Sequence, residues 1–129
     1  GNLKKRAKNN HLVLDGGHNF SAGAALSKWM NTLDQEINLI VGMMNDKEHK
    51  KFMNNFKGKI KSLVLIDIPN QKGSMSKEEF KLKIQKDFPK TKLANNIQEA
   101  ISGIANESHN SYICCIGSFY LIGEILNLN

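Results

Sequence analysis

The chain has 129 residues, a length typical of one domain built around a single hydrophobic core. Apolar residues make up 40% of it and charged residues 23%, a balance that excludes a disordered or low-complexity chain. No apolar run approaches the roughly 20 residues that span a bilayer, and no signal-peptide core follows the basic N-terminus, so the composition predicts a cytoplasmic protein with no membrane partner.

The net charge of +6 is unevenly distributed along the chain. Four of these charges come from one short basic segment, made up of Lys4, Lys5, Arg6 and Lys8. The other lysines are interspersed with acidic residues, as on solvated helix faces, which disfavours nucleic acid as a partner. Residues 1–10 show no periodicity, and we interpret them as the basic remnant of an interdomain linker. The domain proper is then predicted over residues 11–129.

Five short apolar runs have the character of strands, and they lie at residues 12–14, 37–41, 63–68, 92–94 and 112–116. The run at 92–94 is the weakest. Continuous apolar character, rather than alternation, indicates strands that helices bury on both faces. The last run contains the adjacent cysteines Cys114 and Cys115, for which a structural disulfide is geometrically implausible, so we expect free thiols in a reducing compartment.

Segments of helical periodicity separate these runs, so the alternation predicts an α/β fold with helices on both faces of a sheet. The predicted inward stripes are, in chain order, Ala22, Ala25, Leu26, Trp29 and Leu33; His49, Phe52, Met53 and Phe56; Phe80, Ile84 and Phe88; Ile97, Ala100, Ile101, Ile104 and Ala105; and Phe119, Ile122 and Leu126. Ser76 with Glu79 forms a capping-box pattern ahead of the third helix, and Asn95 and Asn96 are cap candidates for the fourth.

Three strands are followed at once by small or polar residues and then by a helix, the arrangement at which open sheets bind ligands. The first segment contains Asp15, Gly16, Gly17, His18 and Asn19. It is suited to a polar ligand, and equally to a plain turn in which a side-chain oxygen caps the helix. A lone histidine is more often structural than catalytic.

The second segment covers residues 42–47 and the third is Gly117 with Ser118. In the second, we expect Asp46 to be the N-cap of the next helix, with Asn45 or Lys47 as the alternative ligand contacts. In the third, Ser118 is either an N-cap or a donor to a carboxylate or phosphate. Phosphate-loop, dinucleotide and metal-ligand motifs are absent, so the residues alone predict a ligand-binding α/β domain with no metal site.

Four stretches together carry a family resemblance: LVLDGGHN (12–19), AGAALSKWM (22–30), LIVGMMNDKEHKKF (39–52) and CIGSFYLIGEIL (115–126). In order and spacing they resemble the C-terminal domain of folylpolyglutamate synthase/dihydrofolate synthase, with its LDGAHN or LDGGHN, GM…DKD and GSLYLxGEVL motifs. That family belongs to the Mur ligase superfamily. The resemblance implies a Rossmann-like three-layer domain whose mostly parallel sheet has about six strands, one of them antiparallel.

The function that the resemblance implies is ATP-dependent ligation of L-glutamate to dihydropteroate or a folate through an acyl phosphate. The phosphate loop and the Mg ligands of that family lie in an N-terminal ATP-binding domain. The isolated C-terminal domain is therefore expected to be inactive, and the whole enzyme to be a monomer. Whether the acceptor is dihydropteroate or a folate, and how many glutamates are added, stays open.

The resemblance also assigns roles to single residues. Asp15 matches the aspartate that contacts ATP, and Gly16, Gly17 and Asn19 accompany it as cofactor-binding residues. His18 matches the histidine associated with glutamate and the phosphate region, which makes it the catalytic candidate and a substrate-binding one. Ser118 matches a serine suited to the glutamate carboxylate.

The sequence departs from this family's pattern in two places. Phe20 stands where the family commonly has proline, and the family's upstream arginine has no counterpart, because Arg6 lies in an unrelated basic stretch. Two alternatives to a ligase domain are a stand-alone module that binds a nucleotide or another anion without catalysis, and an RNA-associated basic protein.

Overall fold

A computed structural model describes residues 2–128. The helices are α1 (Asn2–Ala7), α2 (Phe20–Met30), α3 (His49–Asn54), α4 (Lys77–Ile84), α5 (Ile97–Glu107) and α6 (Phe119–Leu128). The strands are β1 (His11–Asp15), β2 (Ile37–Val41), β3 (Ser62–Leu65), β4 (Lys92–Leu93) and β5 (Tyr112–Ile116). Across these residues, no helix combines the length and the apolar character that crossing a membrane requires.

The strands form one sheet in the order β1-β5-β2-β3-β4, and every neighbouring pair is parallel. The predicted sixth strand and the predicted antiparallel strand are therefore wrong for residues 2–128. Beyond β5 the described chain is occupied by α6, which leaves no segment for another strand. Within the described residues, antiparallel pairing is limited to a single bridge between Met44 and Ser74.

The helices form a layer on each face of this sheet, which confirms the Rossmann-like three-layer class. Helices α2, α3 and α4 pack on one face, where Leu26, Phe52 and Phe80 join the core. Helices α1, α5 and α6 pack on the other, against the second set of strand side chains. The continuously apolar strands follow from this arrangement, because both faces of each strand are covered.

The first helix was not anticipated from the sequence. Leu3 and Ala7 are each 1% exposed and pack in the core on the side of α5. Their basic neighbours hide this short apolar stripe, and Arg6 donates a hydrogen bond to the Ser102 hydroxyl on α5 at 3.2 Å. The linker interpretation of residues 1–10 stays a prediction, and residues 1 and 129 lie outside the described part of the chain.

The predicted helix faces are confirmed for α3, α4 and α5 and are right only in part for α2, where Leu26 is buried, and for α6, where Ile122 packs against the core. In α2 the buried face contains Gly23, Leu26 and Met30 rather than Ala25. In α6 it contains Leu121 and Ile125. Phe119 and Leu126, both expected inward, are instead 70% and 58% exposed. Helix α6 has apolar residues on two sides, so periodicity alone does not identify the inner one.

The predicted caps of α4 and α5 are confirmed. The Ser76 hydroxyl accepts a hydrogen bond from the Glu79 N–H at 3.2 Å. The Asn96 side chain accepts one from the Glu99 N–H at 2.8 Å. Each cap satisfies a backbone donor that has no partner inside the helix.

Cys114 and Cys115 are both free and buried, as expected. Burial raises the pKa of the Cys114 thiol to about 12, with a further contribution from the charge of Asp15. Burial also raises the pKa of the Cys115 thiol. Both side chains are therefore uncharged packing residues of the interior strand β5.

Candidate functional site

The three polar segments that follow strands meet at one edge of the sheet. Strand β5 lies between β1 and β2, and the last residue of each neighbour, Asp15 and Val41, is level with Ile116. The chain leaves β1 and β2 toward the helix layer of α2 and α3, whereas it leaves β5 toward that of α6. Strand ends with diverging connections form the crevice in which α/β sheets bind ligands.

The loop from β1 to α2 is held by its own polar side chains. The Asp15 carboxylate accepts a hydrogen bond from the Gly17 N–H at 2.8 Å. The Asn19 side chain accepts one from the Ala22 N–H, also at 2.8 Å, and caps α2. Both residues thus have the capping or turn role that the sequence left open beside the ligand role. His18, between them, is partly buried.

The turn from β5 to α6 is tight. Gly117 has a φ of +110°, a conformation that side chains strongly disfavour. The following Ser118 is 3% exposed, and its hydroxyl accepts a hydrogen bond from the Tyr120 N–H at 3.1 Å. This confirms Ser118 as the cap of α6. Because its oxygen is used as an acceptor there, its O–H remains a potential donor to a ligand.

The segment from β2 to α3 differs from the prediction. Helix α3 begins at His49, with Glu48 before it, so Asp46 is not the N-cap. The Met44–Ser74 bridge and a turn precede the helix, and they delay its start beyond Asp46. Asp46 instead lies 3.8 Å from the Lys47 ammonium.

All three segments contribute to one cavity of about 190 Å³. It is lined by His18, Met44, Asp46, Lys47, Ser118, Phe119 and Tyr120. The structure therefore brings together the two residues predicted to bind substrate, His18 and Ser118. Phe119 and Tyr120 were missed, since their apolar character indicated packing and only their position after Gly117-Ser118 hinted at the site.

The predicted cofactor-binding residues lie next to this cavity rather than in its lining. Asp15, Gly16, Gly17 and Asn19 form the loop that carries His18. A larger cavity of about 330 Å³ lies between α5 and the edge strands and includes none of the three strand-end segments. We therefore place the candidate site at the strand ends, where the polar groups converge.

His49 is a buried residue that contacts Met44, one of the residues lining the cavity. It is 3% exposed, and its Nε2–H donates a hydrogen bond to the Met44 carbonyl oxygen at 2.8 Å. Its ring packs edge-on against Phe80. Burial lowers the pKa of the imidazole, an effect that outweighs the opposing hydrogen bond to Met44. His49 is thus a neutral structural group that holds the segment carrying Lys47.

This buried histidine predicts a pH dependence of stability. The unfolded chain gains a proton on His49 as the pH falls below about 6.5, whereas the folded chain does not until a lower pH. The free energy of unfolding therefore decreases with falling pH in that window. In His49→Gln the amide still donates to Met44 but does not titrate, so the decrease between pH 7.0 and 5.5 should be smaller. Urea unfolding at both pH values measures it, and equal decreases in the two proteins would contradict the prediction.

Comparison with known proteins identifies one family for nearly the whole chain. Residues 2–128 match the family described as dihydrofolate synthetase, C-terminal domain. The sequence has no significant match among curated proteins.

Solved structures share the fold at low sequence identity. Folylpolyglutamate synthase of Mycobacterium tuberculosis, complexed with ADP and AMPPCP, superposes with a TM-score of 0.80 at 18% identity, over 91% of this chain and 29% of that one. The bifunctional folylpolyglutamate synthase/dihydrofolate synthase of Yersinia pestis, complexed with AMPPNP and Mn ion, gives 0.77 at 14%, over 91% and 28%. Folylpolyglutamate synthase of Thermotoga maritima gives 0.77 at 18%, over 91% and 27%. This chain thus spans less than a third of each.

Proposed function

The chain belongs to the family of dihydrofolate synthetase C-terminal domains, and we propose on that basis that it serves an ATP-dependent ligase adding L-glutamate to dihydropteroate or a folate. The observation that carries the proposal is the convergence of His18, Lys47 and Ser118 in one cavity at the strand ends. Cationic and hydroxyl donors there suit an amino acid with two carboxylates. We propose a monomeric, cytoplasmic enzyme.

The loop from Asp15 to Asn19 is the proposed nucleotide side of the site. One oxygen of the Asp15 carboxylate holds the Gly17 N–H, which orients the other oxygen to accept a ribose hydroxyl. The absence of side chains at Gly16 and Gly17 allows close approach of the backbone. ATP supplies the phosphoryl group that activates the acceptor carboxylate, with Mg held by residues outside this chain.

The cavity itself is the proposed glutamate side. Ser118 donates its O–H to a substrate carboxylate, because its oxygen already accepts the Tyr120 N–H. Lys47 contributes a positive charge at the same cavity, where the Asp46 carboxylate 3.8 Å away offsets part of it. His18 lies between the two sides and stabilises the negative charge that develops when the phosphoryl group is transferred and then displaced by the glutamate amine.

The cavity is too small to be a complete site. Its 190 Å³ compares with the roughly 300 to 1,000 Å³ of pockets that enclose a small molecule. We propose that an N-terminal ATP-binding domain supplies the opposite wall and that catalysis requires the two domains to close. The isolated 129-residue chain is accordingly expected to be inactive.

Asp15→Asn tests the nucleotide side in the full-length protein that carries this chain. Removing the charge weakens the contact with the ribose, so the KM for ATP should rise roughly 10-fold while the KM for glutamate changes little. Steady-state kinetics with each substrate varied in turn measures the split. Asp34→Asn, an exposed carboxylate outside the loop, is the matched control. An unchanged KM for ATP would refute this role.

A stand-alone binding module is the second candidate, favoured by the two complete core clusters within this chain. Calorimetry of the 129-residue chain with ATP separates the two. A clear micromolar affinity would favour the module, whereas the ligase proposal predicts weak or absent binding without the second domain.

A further inference from the structure

The ring of Phe119 lies directly against the loop that carries His18. A Cβ atom built on Gly16 would be 2.4 Å from Cδ1 of Phe119 and 2.8 Å from Cε1, far inside contact distance. The imidazole of His18 meets the same ring edge-on, with centroids 5.8 Å apart and planes at 83°. Phe119 thus contacts both the backbone and the side chain of this loop.

The exposure of Phe119 shows that it is not a core residue. The ring is 70% exposed, while the inward face of α6 is formed by Leu121 and Ile125. Its backbone is nevertheless well fixed, because it is the first residue of a helix that Ser118 caps. The side chain also lines the cavity of about 190 Å³. This large apolar ring therefore packs against the loop and the cavity rather than in the hydrophobic core.

We propose that Phe119 is a positioning residue that holds the imidazole of His18 at the cavity. The edge-to-face contact with Phe119 restricts the rotation of the imidazole. The Phe119 ring also packs against Gly16 and so restricts the backbone of the loop that contains His18. The same geometry explains the glycine at position 16, since any side chain there displaces the ring. This inference rests on the proposed role of His18 in ligation, but the contact itself is testable without it.

Nuclear magnetic resonance of the 129-residue chain tests the contact directly. The ring protons of His18, assigned by their loss in His18→Gln, should experience the ring current of Phe119. They should shift in Phe119→Leu and stay close to their original positions in Phe119→Tyr. Leu126→Ala, another exposed apolar residue of α6, is the control and should shift none of them. His18 signals that do not change in Phe119→Leu would overturn the proposal.

A double-mutant cycle in the full-length protein tests the consequence. Phe119→Ala should lower kcat for glutamate ligation roughly 10-fold to 100-fold, with the KM for ATP little changed, and Phe119→Tyr should retain it. Gly16→Ala should cause a similar loss of kcat alone but little further loss of kcat when added to Phe119→Ala, because the displaced ring is gone, whereas any effect on the KM for ATP from the nucleotide side is the same in both backgrounds. Additive losses, or full activity in Phe119→Ala, would overturn the proposal.

The ligase function and the positioning role of Phe119 are refuted by different results. A full-length protein that ligates no glutamate under any condition refutes the proposed function, while the resonances of His18 still decide whether Phe119 positions it. Normal ligation together with additive losses in the cycle refutes only the role of Phe119. Circular dichroism during heating confirms folding of each variant, which the exposure of Phe119 leads us to expect.

Discussion

Gly117→Ala is expected to lower the free energy of unfolding by about 3 kcal/mol, the sum of a strained positive φ and a steric clash. The added Cβ would lie 2.6 Å from the Gly42 carbonyl oxygen and 2.9 Å from Cγ of Met43. The first of these is backbone of the adjacent strand end, which cannot rotate away. For a chain of this size the melting temperature should fall by about 10 °C. Chemical and thermal unfolding of the 129-residue chain measure both.

Gly103→Ala is the matched control for that substitution. Gly103 lies within α5, and a Cβ there would meet nothing within 4 Å. Alanine is the better helix former, so this variant should gain about 0.5 to 1 kcal/mol. If both variants were destabilised equally, or neither were, the tight turn between β5 and α6 would not have the structure described.

His18→Gln is expected to lower kcat for glutamate ligation about 100-fold in the full-length protein, while the fold is unaffected. Glutamine retains hydrogen-bonding capacity but lacks the imidazole that we propose to stabilise the charge of a transferring phosphoryl group. The partly buried position of His18 at the cavity, in a loop already fixed by Asp15 and Asn19, makes a purely structural loss small.

His11→Gln provides the comparison for this loss. His11 is the first residue of the same strand and lies at the amino ends of the strands, whereas the candidate site lies at their carboxyl ends. Its ring contacts Tyr112. Replacing it should leave kcat within about twofold of the original, as is usual for a surface position remote from the site. Equal losses in the two variants, or no loss in His18→Gln, would remove His18 from the catalytic role.

Much of the fold was predictable from the sequence because parallel strands have a simple signature. Both faces of β2 and β5 are buried, so their runs are continuously apolar, and their bounds at residues 37–41 and 112–116 were predicted without error. The meeting of the three polar segments was likewise predictable, since the carboxyl ends of parallel strands share one edge. The order of the strands, which places β5 between β1 and β2, was not contained in any local pattern.

The errors have local causes. In α6, apolar residues on both sides made Phe119 a plausible core residue, and only the packed structure shows it over Gly16. The N-cap assignment of Asp46 failed because a long-range bridge from Met44 to Ser74 determines where α3 begins. Helix α1 was hidden because two apolar residues among basic ones give almost no periodic signal. Each case depends on contacts distant in sequence.

The net positive charge of the chain does not by itself indicate an RNA-binding surface. Within the basic N-terminal segment, Arg6 and Lys8 donate hydrogen bonds to Ser102 and Asn106 on α5, at 3.2 and 3.3 Å. These contacts give the segment a role in docking α1 onto the domain. They offer no support to the RNA-binding alternative, for which deletion of residues 1–10 with a salt-dependent RNA affinity as readout would be the test.

The most direct test of the proposed function is a stoichiometric one. Full-length protein is mixed with ATP, L-glutamate and dihydropteroate or a folate, and both ADP and the new amide are quantified. The ligase proposal predicts one ADP for each amide formed, with neither product when glutamate or the pterin-containing acid is omitted. Formation of ADP that does not depend on glutamate, or the absence of any glutamyl product, would contradict it.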